Sequence, residues 1–300
     1  MELRQKNGIY SGISNDEYHA DKNTYSSSLI KMMEVPAIAK YKMSFPSEYK
    51  DCYRMGTAIH TKILEPHLFE HEFMLAINQP KRSAADKKVW SEWFFENGAD
   101  GDGIVSNKAA EWYNLFEQQT HKHIITPDEL RTIESMAESV KSNKSSIELL
   151  TNGEAEQSIY WTDSETGLNL RVRPDFLNHA ISDLKSVQSA KPKSFASSAF
   201  NFGYHISQAM YQDGVYQVTG EFKKFKFICV EKTPPYLCAV HEFDAESAEE
   251  GYNQYREYLN KLAECLDSGK WPGLDNEIIT LPHYAFKDND LGLILDGVSI

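Results

Sequence analysis

A chain of 300 residues, 41% apolar and 25% charged, can bury a sizeable core as one large domain or two small ones, which excludes disorder as the starting assumption. No run of about 18 apolar residues is present to span a bilayer, and Met1-Glu2-Leu3-Arg4-Gln5-Lys6 lacks the apolar stretch of a signal peptide, so no membrane association and a cytoplasmic location are expected. The formal charge of −13 argues against a protein that coats nucleic acid nonspecifically, but leaves room for an enzyme holding DNA through a local basic channel and metal ions. Cys52, Cys229, Cys238 and Cys265 show no C-x-x-C spacing, which predicts reduced packing thiols rather than a disulfide frame, a zinc knuckle or an iron-sulfur site.

Residues 8 to 19 read as a loop and short turn with a cap at Ser14 or Asn15. Ser26-Ser27-Ser28 predicts a short helix carrying Leu29, Ile30, Met32 and Met33, interrupted at Pro36 and followed by a second over 37–41. A stronger helix is predicted over 51–64, where Met55, Ile59 and Ile63 recur every four residues and Gly56, His60 and Leu64 form a neighbouring stripe before Pro66. Glycine one turn from His60 lets a strand or a ligand approach, at about 1 kcal/mol relative to alanine.

From 81 to 150 the sequence is mostly helical, with Trp90, Trp93, Phe94, Trp112, Leu115 and Phe116 as packing residues and Thr126-Pro127-Asp128-Glu129 as a helix start. The Gly98 to Gly103 cluster reads as a solvated turn, because the further ligands of a calcium loop are missing around Asp100 and Asp102. His121 and His123 read as exposed loop histidines, with no carboxylate or cysteine at ligand spacing.

Between Glu154 and Val187 the period changes to two, predicting a three-strand meander with turns at 164–167 and 178–179. One helix is expected over 193–218 with Gly220 as its stop, then a strand pair over 225–230 and 237–243, then a long helix over 245–266 ending near Gly269. With no internal repeat or low-complexity linker, residues 1–300 read as a single domain. Within it, about 81–150 is a helical insertion, about 151–243 the catalytic sheet and helix, and 270–300 an irregular tail.

The chemistry concentrates in Arg171-Val172-Arg173-Pro174-Asp175-Phe176 and Ser182-Asp183-Leu184-Lys185, a P-D-x7-D-x-K pattern on two strand-like segments. Asp183 and Lys185, two apart, leave one strand face, with Leu184 and Ile181 expected off it, and Asp175 can reach the same point. Two converging carboxylates are costly unless a cation sits between them, and hard oxygen ligands favour Mg²⁺ or Mn²⁺. That predicts phosphodiester hydrolysis, with the lysine orienting the nucleophile or stabilising developing charge. Surface salt bridges share this spacing, so the pattern alone leaves both readings open. Arg171 and Arg173 share a strand face and could equally meet phosphates or form structural ion pairs.

Further motifs recur around this pattern: Ser26-Ser27-Ser28, Gly56-Thr57-Ala58-Ile59-His60 with Leu64-Glu65-Pro66, Glu156-Gln157-Ser158-Ile159-Tyr160-Trp161, Tyr204-His205, Tyr211-Gln212-Asp213-Gly214 and Trp271-Pro272. In this order the whole chain resembles the RecE-type exonucleases (exonuclease VIII), a phage and prophage branch of the PD-(D/E)XK nuclease superfamily with RecB-like site geometry. The resemblance implies an α/β fold with a PD-(D/E)XK core, a central mixed sheet flanked by helices, and a helical insertion. It implies His60, Asp175, Asp183 and the Leu184 carbonyl as metal ligands, Lys185 as the catalytic lysine, and Glu156 as a carboxylate supporting the site or a second metal. RecB-like nucleases carry a glutamine four residues before the motif tyrosine; here Ser207 holds that place before Tyr211 and Gln208 follows it, which leaves open whether Gln208 and Tyr211 serve the site.

The activity so implied is Mg²⁺-dependent, processive digestion of double-stranded DNA from 5′ ends to leave a 3′ single strand, by a ring-shaped homotetramer working with a single-strand annealing protein of the RecT type. A single-strand exonuclease, a structure-specific endonuclease of the same superfamily, or a non-catalytic DNA-end binding scaffold are the alternatives. An intact set of His60, Asp175, Asp183 and Lys185 disfavours the scaffold.

Overall fold

The structure is a computed structural model that describes residues 6–45, 51–274 and 278. The side chain of Cys52 and nearly all of the predicted irregular tail beyond Leu274 lie outside the described residues. β1 (Gly8–Tyr10) leads to α1 (Asn15–Ala20), where Ser14 and Glu17 form a reciprocal capping box, so a capped helix stands where a loop and turn are predicted. β2 (Tyr25–Ser26), α2 (Ser27–Lys31), a 3₁₀ turn (Met32–Glu34) and α3 (Pro36–Ser44) follow. α4 (Asp51–Leu64) has the predicted bounds and buries Ile59 and Ile63. Among the described residues outside the backbone of α4 and the adjoining positions, no atom lies within 4 Å of where a Cβ on Gly56 would stand, so none of the described strands uses that gap.

α5 (Phe69–Glu72), β3 (Phe73–Leu75), α6 (Ala84–Glu96), α7 (Gly101–Val105), α8 (Trp112–Thr120), β4 (His123–Ile125), α9 (Pro127–Ser142) and α10 (Lys144–Leu149) complete the first half. Trp90, Phe94, Trp112 and Phe116 are buried in one cluster, with Trp93 and Leu115 packed against it. The predicted solvated turn at Gly98 to Gly103 is instead a helix start: Asp100 accepts the Gly103 N–H at 3.0 Å, and a Cβ on Gly101 would sit 2.0 Å from the Ser91 carbonyl oxygen. Thr126 caps α9 in a capping box with Glu129, with Pro127 in its first turn, as predicted. α9 buries Ile133, Met136 and Val140 against α4 and the central strands, so this part of the expected insertion shares the central core.

β5 (Glu154–Ala155), β6 (Ser158–Thr162), β7 (Asn169–Val172), β8 (Phe176–Leu177) and β9 (Ala180–Val187) replace the predicted meander, which is split between two sheets. α11 (Pro192–Asn201) and α12 (Tyr204–Thr219) replace the single predicted helix, because Gly203 between them adopts a left-handed φ of 63°. β10 (Lys224–Glu231), β11 (Cys238–His241) and α13 (Ala245–Ser268) agree with prediction, as do the glycine stops at Gly220 and Gly269. Cys229, Cys238 and Cys265 are free thiols. Among the described residues no helix is long and apolar enough to cross a membrane.

Two mixed sheets dominate, ordered β1-β6-β7-β2 and β11-β10-β9-β8-β5, beside a two-stranded β3-β4 sheet. β9 and β10 run parallel at the centre, and their alternation feeds two cores. Ile181, Phe225, Phe227 and Cys229 pack toward α11, α12 and α13, whereas Ala180, Leu184, Ile228 and Val230 pack toward α4 and α9. This is a mixed α/β architecture with helices on both faces of a central sheet. Ile181 departs from expectation: two residues from Asp183, it lies on the same side of β9.

Arg171 and Arg173 are buried and serve the fold rather than phosphates. Arg171 donates to the carbonyls of Asp21 and Thr24 at 2.6 and 2.8 Å, and Arg173 to Ser158 Oγ at 2.9 Å and the Ile13 carbonyl at 3.1 Å, with both guanidiniums over the Tyr18 ring. They tie the N-terminal segment onto the four-stranded sheet. Arg173→Met leaves a buried hydroxyl and carbonyl without that donor, so a loss of about 2–3 kcal/mol in unfolding free energy by urea denaturation is expected.

Candidate active site

The site forms where β9 loses its neighbour. β8 pairs with β9 only through Phe176–Ser182 and Leu177–Ile181, so on that side the edge of β9 is open from Asp183 onward. The Asp175 carboxylate fills the first gap, its Oδ2 accepting the Leu184 N–H at 2.6 Å. β5 pairs with β8 up to Ala155–Phe176, and the next rung continues as the Glu156 N–H donates to the Asp175 carbonyl at 3.2 Å. This rung sets the two carboxylate residues side by side. Glu156 holds a left-handed φ of 50° as the chain leaves β5 for the other sheet, a conformation that costs a non-glycine residue on the order of 1 kcal/mol or more.

α4 brings His60 over this rung, its Nδ1 3.6 Å from Asp175 Oδ2. One ligand atom each from His60, Glu156 and Asp175 lies within 4.8 Å of the others. On β9, Lys185 Nζ stands 2.6 Å from Asp183 Oδ2. Glu156, expected in support, therefore stands in the ligand cluster, while Asp183, expected among the ligands, faces the lysine. The Leu184 side chain is buried toward α4, and its backbone enters the site through the N–H that holds Asp175.

The electrostatics follow from crowding. Burial, the Asp175 carboxylate and more distant acids outweigh Arg173 and push Glu156 up to about 8. Asp175 is also raised, by burial first, against the lowering effect of His60. Burial alone would lower Lys185, but the carboxylates of Asp183 and Asp175 outweigh it and hold the ammonium above its ordinary value. An imidazole nitrogen and clustered carboxylates whose charges oppose one another fit a divalent cation of the hard, oxygen-preferring kind.

α12 lines the opposite side. Burial, followed by Tyr18, Asp183 and Asp175, pushes Tyr211 well up. Gln208 is buried, and its Oε1 has no hydrogen-bond partner among the described residues. Tyr204, Gln208 and Tyr211 are spaced four and three apart, which sets all three on one helix stripe. The remaining motif residues pack: Gln212 donates to the Lys223 carbonyl at 2.8 Å, Asp213 accepts from the Tyr255 hydroxyl at 2.8 Å, and a Cβ on Gly214 would meet Trp161 at 2.6 Å. His121 is an exposed helix end, whereas His123 is half-buried in β4 with Nδ1 2.9 Å from Glu117, a carboxylate partner that sequence spacing did not suggest.

Residues 26–279 match the family described as a PDDEXK-like domain of unknown function (DUF3799). The chain belongs to this PDDEXK-like family. It is thereby placed in the PD-(D/E)XK nuclease superfamily, whose members use divalent metal ions, and its domain is of nuclease type. A crystal structure from Eubacterium rectale, of a protein described as a candidate exonuclease, shares the fold at 15% identity and a TM-score of 0.59, covering 95% of this chain and 100% of that one. Comparison with curated proteins gives no match.

Three residues of this PDDEXK-like site escape sequence reading. Lys31 at the end of α2 donates to the Phe202 carbonyl at 3.1 Å, and burial and Lys185 push it down to about 8. Tyr204 lies with its ring centroid 5.2 Å from Lys185 Nζ, and burial raises its phenol. Glu65, after α4, is raised by burial and Glu72 and contributes to the raising of Glu156. Glu65 and Tyr204 sit inside recognised motifs, so their positions carried a signal; Lys31, one turn past the serines, carried none.

Proposed function

We propose that this protein is a Mg²⁺-dependent exodeoxyribonuclease, with Mn²⁺ as a substitute, that degrades linear double-stranded DNA from 5′ ends and leaves 3′ single-stranded tails for recombination. The observation that carries this reading is the gathering of His60, Glu156, Asp175, Asp183 and Lys185 at the open edge of β9 in a PDDEXK-like fold. Polarity, duplex preference, a tetrameric ring around DNA and cooperation with a RecT-type annealing protein are supported by the motif resemblance to RecE-type exonucleases. So is a phage origin; a single nuclease domain with a helical insertion, in a cytoplasmic setting, is supported by the patterning of residues 1–300, which holds no internal repeat or low-complexity linker.

In this reading His60, Glu156 and Asp175 would hold the ion, with Asp183 and the Leu184 carbonyl as further ligands. When bound, the ion supplies a water of lowered pKa and a counter-charge for the phosphoryl oxygen. The Leu184 N–H fixes the orientation of Asp175. Lys185 stays charged and stabilises negative charge developing on the scissile phosphate. Tyr211 and the unpartnered Gln208 oxygen face substrate or the lysine from α12.

The test is digestion of linear duplex labelled at its 5′ or 3′ end, with Mg²⁺ or chelator. Wild type is expected to release 5′ label first and only with metal, and Asp183→Ala to lose at least about 100-fold in rate. Equal DNA loss in the variant, or none in wild type, would sink the assignment. Release of 3′ label first would leave another PD-(D/E)XK activity standing, and elution as a monomer in sizing with light scattering would remove the ring alone.

A further inference from the structure

Phe202, in the short link between α11 and α12, has 62% of its surface exposed. Single exposed aromatics are ordinary, but this ring is the outer member of a stack. It lies 5.7 Å from the Tyr204 ring at 28°, and Tyr204 lies 5.9 Å from Phe227 at 23°, inside the first core. The stack fixes the outermost ring while leaving much of it open to solvent.

A cation is built into the same spot. Lys31 Nζ donates to the carbonyl of Phe202 itself and stands 5.5 Å from the centroid of Tyr204, the ring that Lys185 approaches to 5.2 Å. The Lys31 methylenes run so close to Gly203 that a Cβ there would sit 3.0 Å from Cδ, so the side chain follows a confined path. Among the described residues no carboxylate lies within ion-pair distance of Lys31, unlike Lys185, which has Asp183. α12, 16 residues long, begins at Tyr204 with no side-chain cap and adds the partial positive charge of its N-terminus. Asp183 balances Lys185, which leaves Lys31 and the α12 N-terminus as the positive groups here without an ion-pair partner among the described residues.

We propose that Phe202 and Lys31 grip a nucleotide beside the scissile phosphate in the strand being cut, Phe202 stacking on its base and Lys31 binding its phosphate. The proposal rests on the nuclease reading and adds the substrate form: inside a duplex both faces of a base are covered by its stacked neighbours, so Phe202 takes a base at a strand end or in a single-stranded or frayed segment. An aromatic platform beside a fixed cation is the combination by which proteins hold single strands without reading sequence.

The test is fluorescence anisotropy of a dye-labelled single-stranded oligonucleotide with the full chain in Ca²⁺ over a range of salt, alongside duplex digestion in Mg²⁺. Phe202→Ala is expected to weaken binding about tenfold with an unchanged salt slope, and Phe202→Trp to restore it. Lys31→Met is expected to lower the slope of log affinity against log salt by about 0.7, and Lys31→Arg to restore it. In digestion both loss variants should raise KM more than they lower kcat. Wild-type affinity and slope in both loss variants, with wild type digesting DNA normally, overturn this proposal alone; absence of any DNA digestion by wild type overturns the nuclease reading and this one with it. Should Lys31→Met fail to fold, the exposed Phe202 pair decides.

Discussion

Lys185→Met is expected to lower the turnover of duplex digestion by about 100- to 1,000-fold while leaving Mn²⁺ binding intact or tighter. Lys185 lies on β9 with Asp183 at 2.6 Å and the Tyr204 ring beside it, and the two neighbouring carboxylates hold its ammonium charged despite burial. A group held in its charged form cannot take a proton from water at working pH, so its contribution is positive charge aimed at the phosphate. Two consequences separate this from a role as general base. The pH profile of wild type has no limb from lysine deprotonation, and raising the pH does not rescue the variant. Methionine also removes a cation that competes for Asp183, so calorimetry with Mn²⁺ should show affinity equal to or above that of wild type. A variant that loses Mn²⁺ binding in step with activity would show that Lys185 organises the ligands instead.

Most residues of the candidate site were visible in sequence because they sit in short local patterns, Lys31 excepted; their arrangement was not, because it depends on where strands stop pairing. Alternation read Asp183 and Lys185 as a pair on one face, and the 2.6 Å contact agrees. The same alternation suggested one continuous meander, yet β8 is two residues long and the chain crosses between sheets at Glu156. Nothing local marks Glu156 as left-handed, since glycine, not glutamate, favours that region. The crossing moves Glu156 from a supporting role into the cluster with His60 and Asp175. α4 was legible to the residue through its apolar stripe, whereas the break at Gly203 was hidden because apolar spacing continues across it. Arg171 and Arg173 were ambiguous for a different reason: only the fold shows that the segment from Ile13 to Thr24 covers their face of the sheet.

Glu156→Gln is expected to raise the melting temperature of the metal-free protein at pH 8 and to reduce the proton release that accompanies metal uptake. Glu156 has an ordinary value of 4.5 and is pushed up to about 8 in the fold, by burial first and Asp175 second. Between those values the native state binds a proton that the unfolded chain has lost, so the stability of the metal-free protein falls as pH rises from about 5 to 8. Glutamine has nearly the same shape and the same backbone cost at φ 50°, but cannot ionise. The variant should therefore show a flatter dependence of melting temperature on pH in chelator, with a gain of roughly 2–4 °C at pH 8 for each kcal/mol of repulsion relieved. Metal reverses the ranking, because a cation entering beside His60 and Asp175 favours the ionised carboxylate and displaces its proton. In wild type near pH 7, calorimetry with Mn²⁺ in buffers of different ionisation enthalpy should report release of about one proton, and affinity should climb with pH and level off above about 8. Glu156→Gln should bind Mn²⁺ more weakly, with little dependence on pH in that range. If the variant melts below wild type in chelator at pH 8, the carboxylate is not under repulsion, and Glu156 belongs outside the metal cluster.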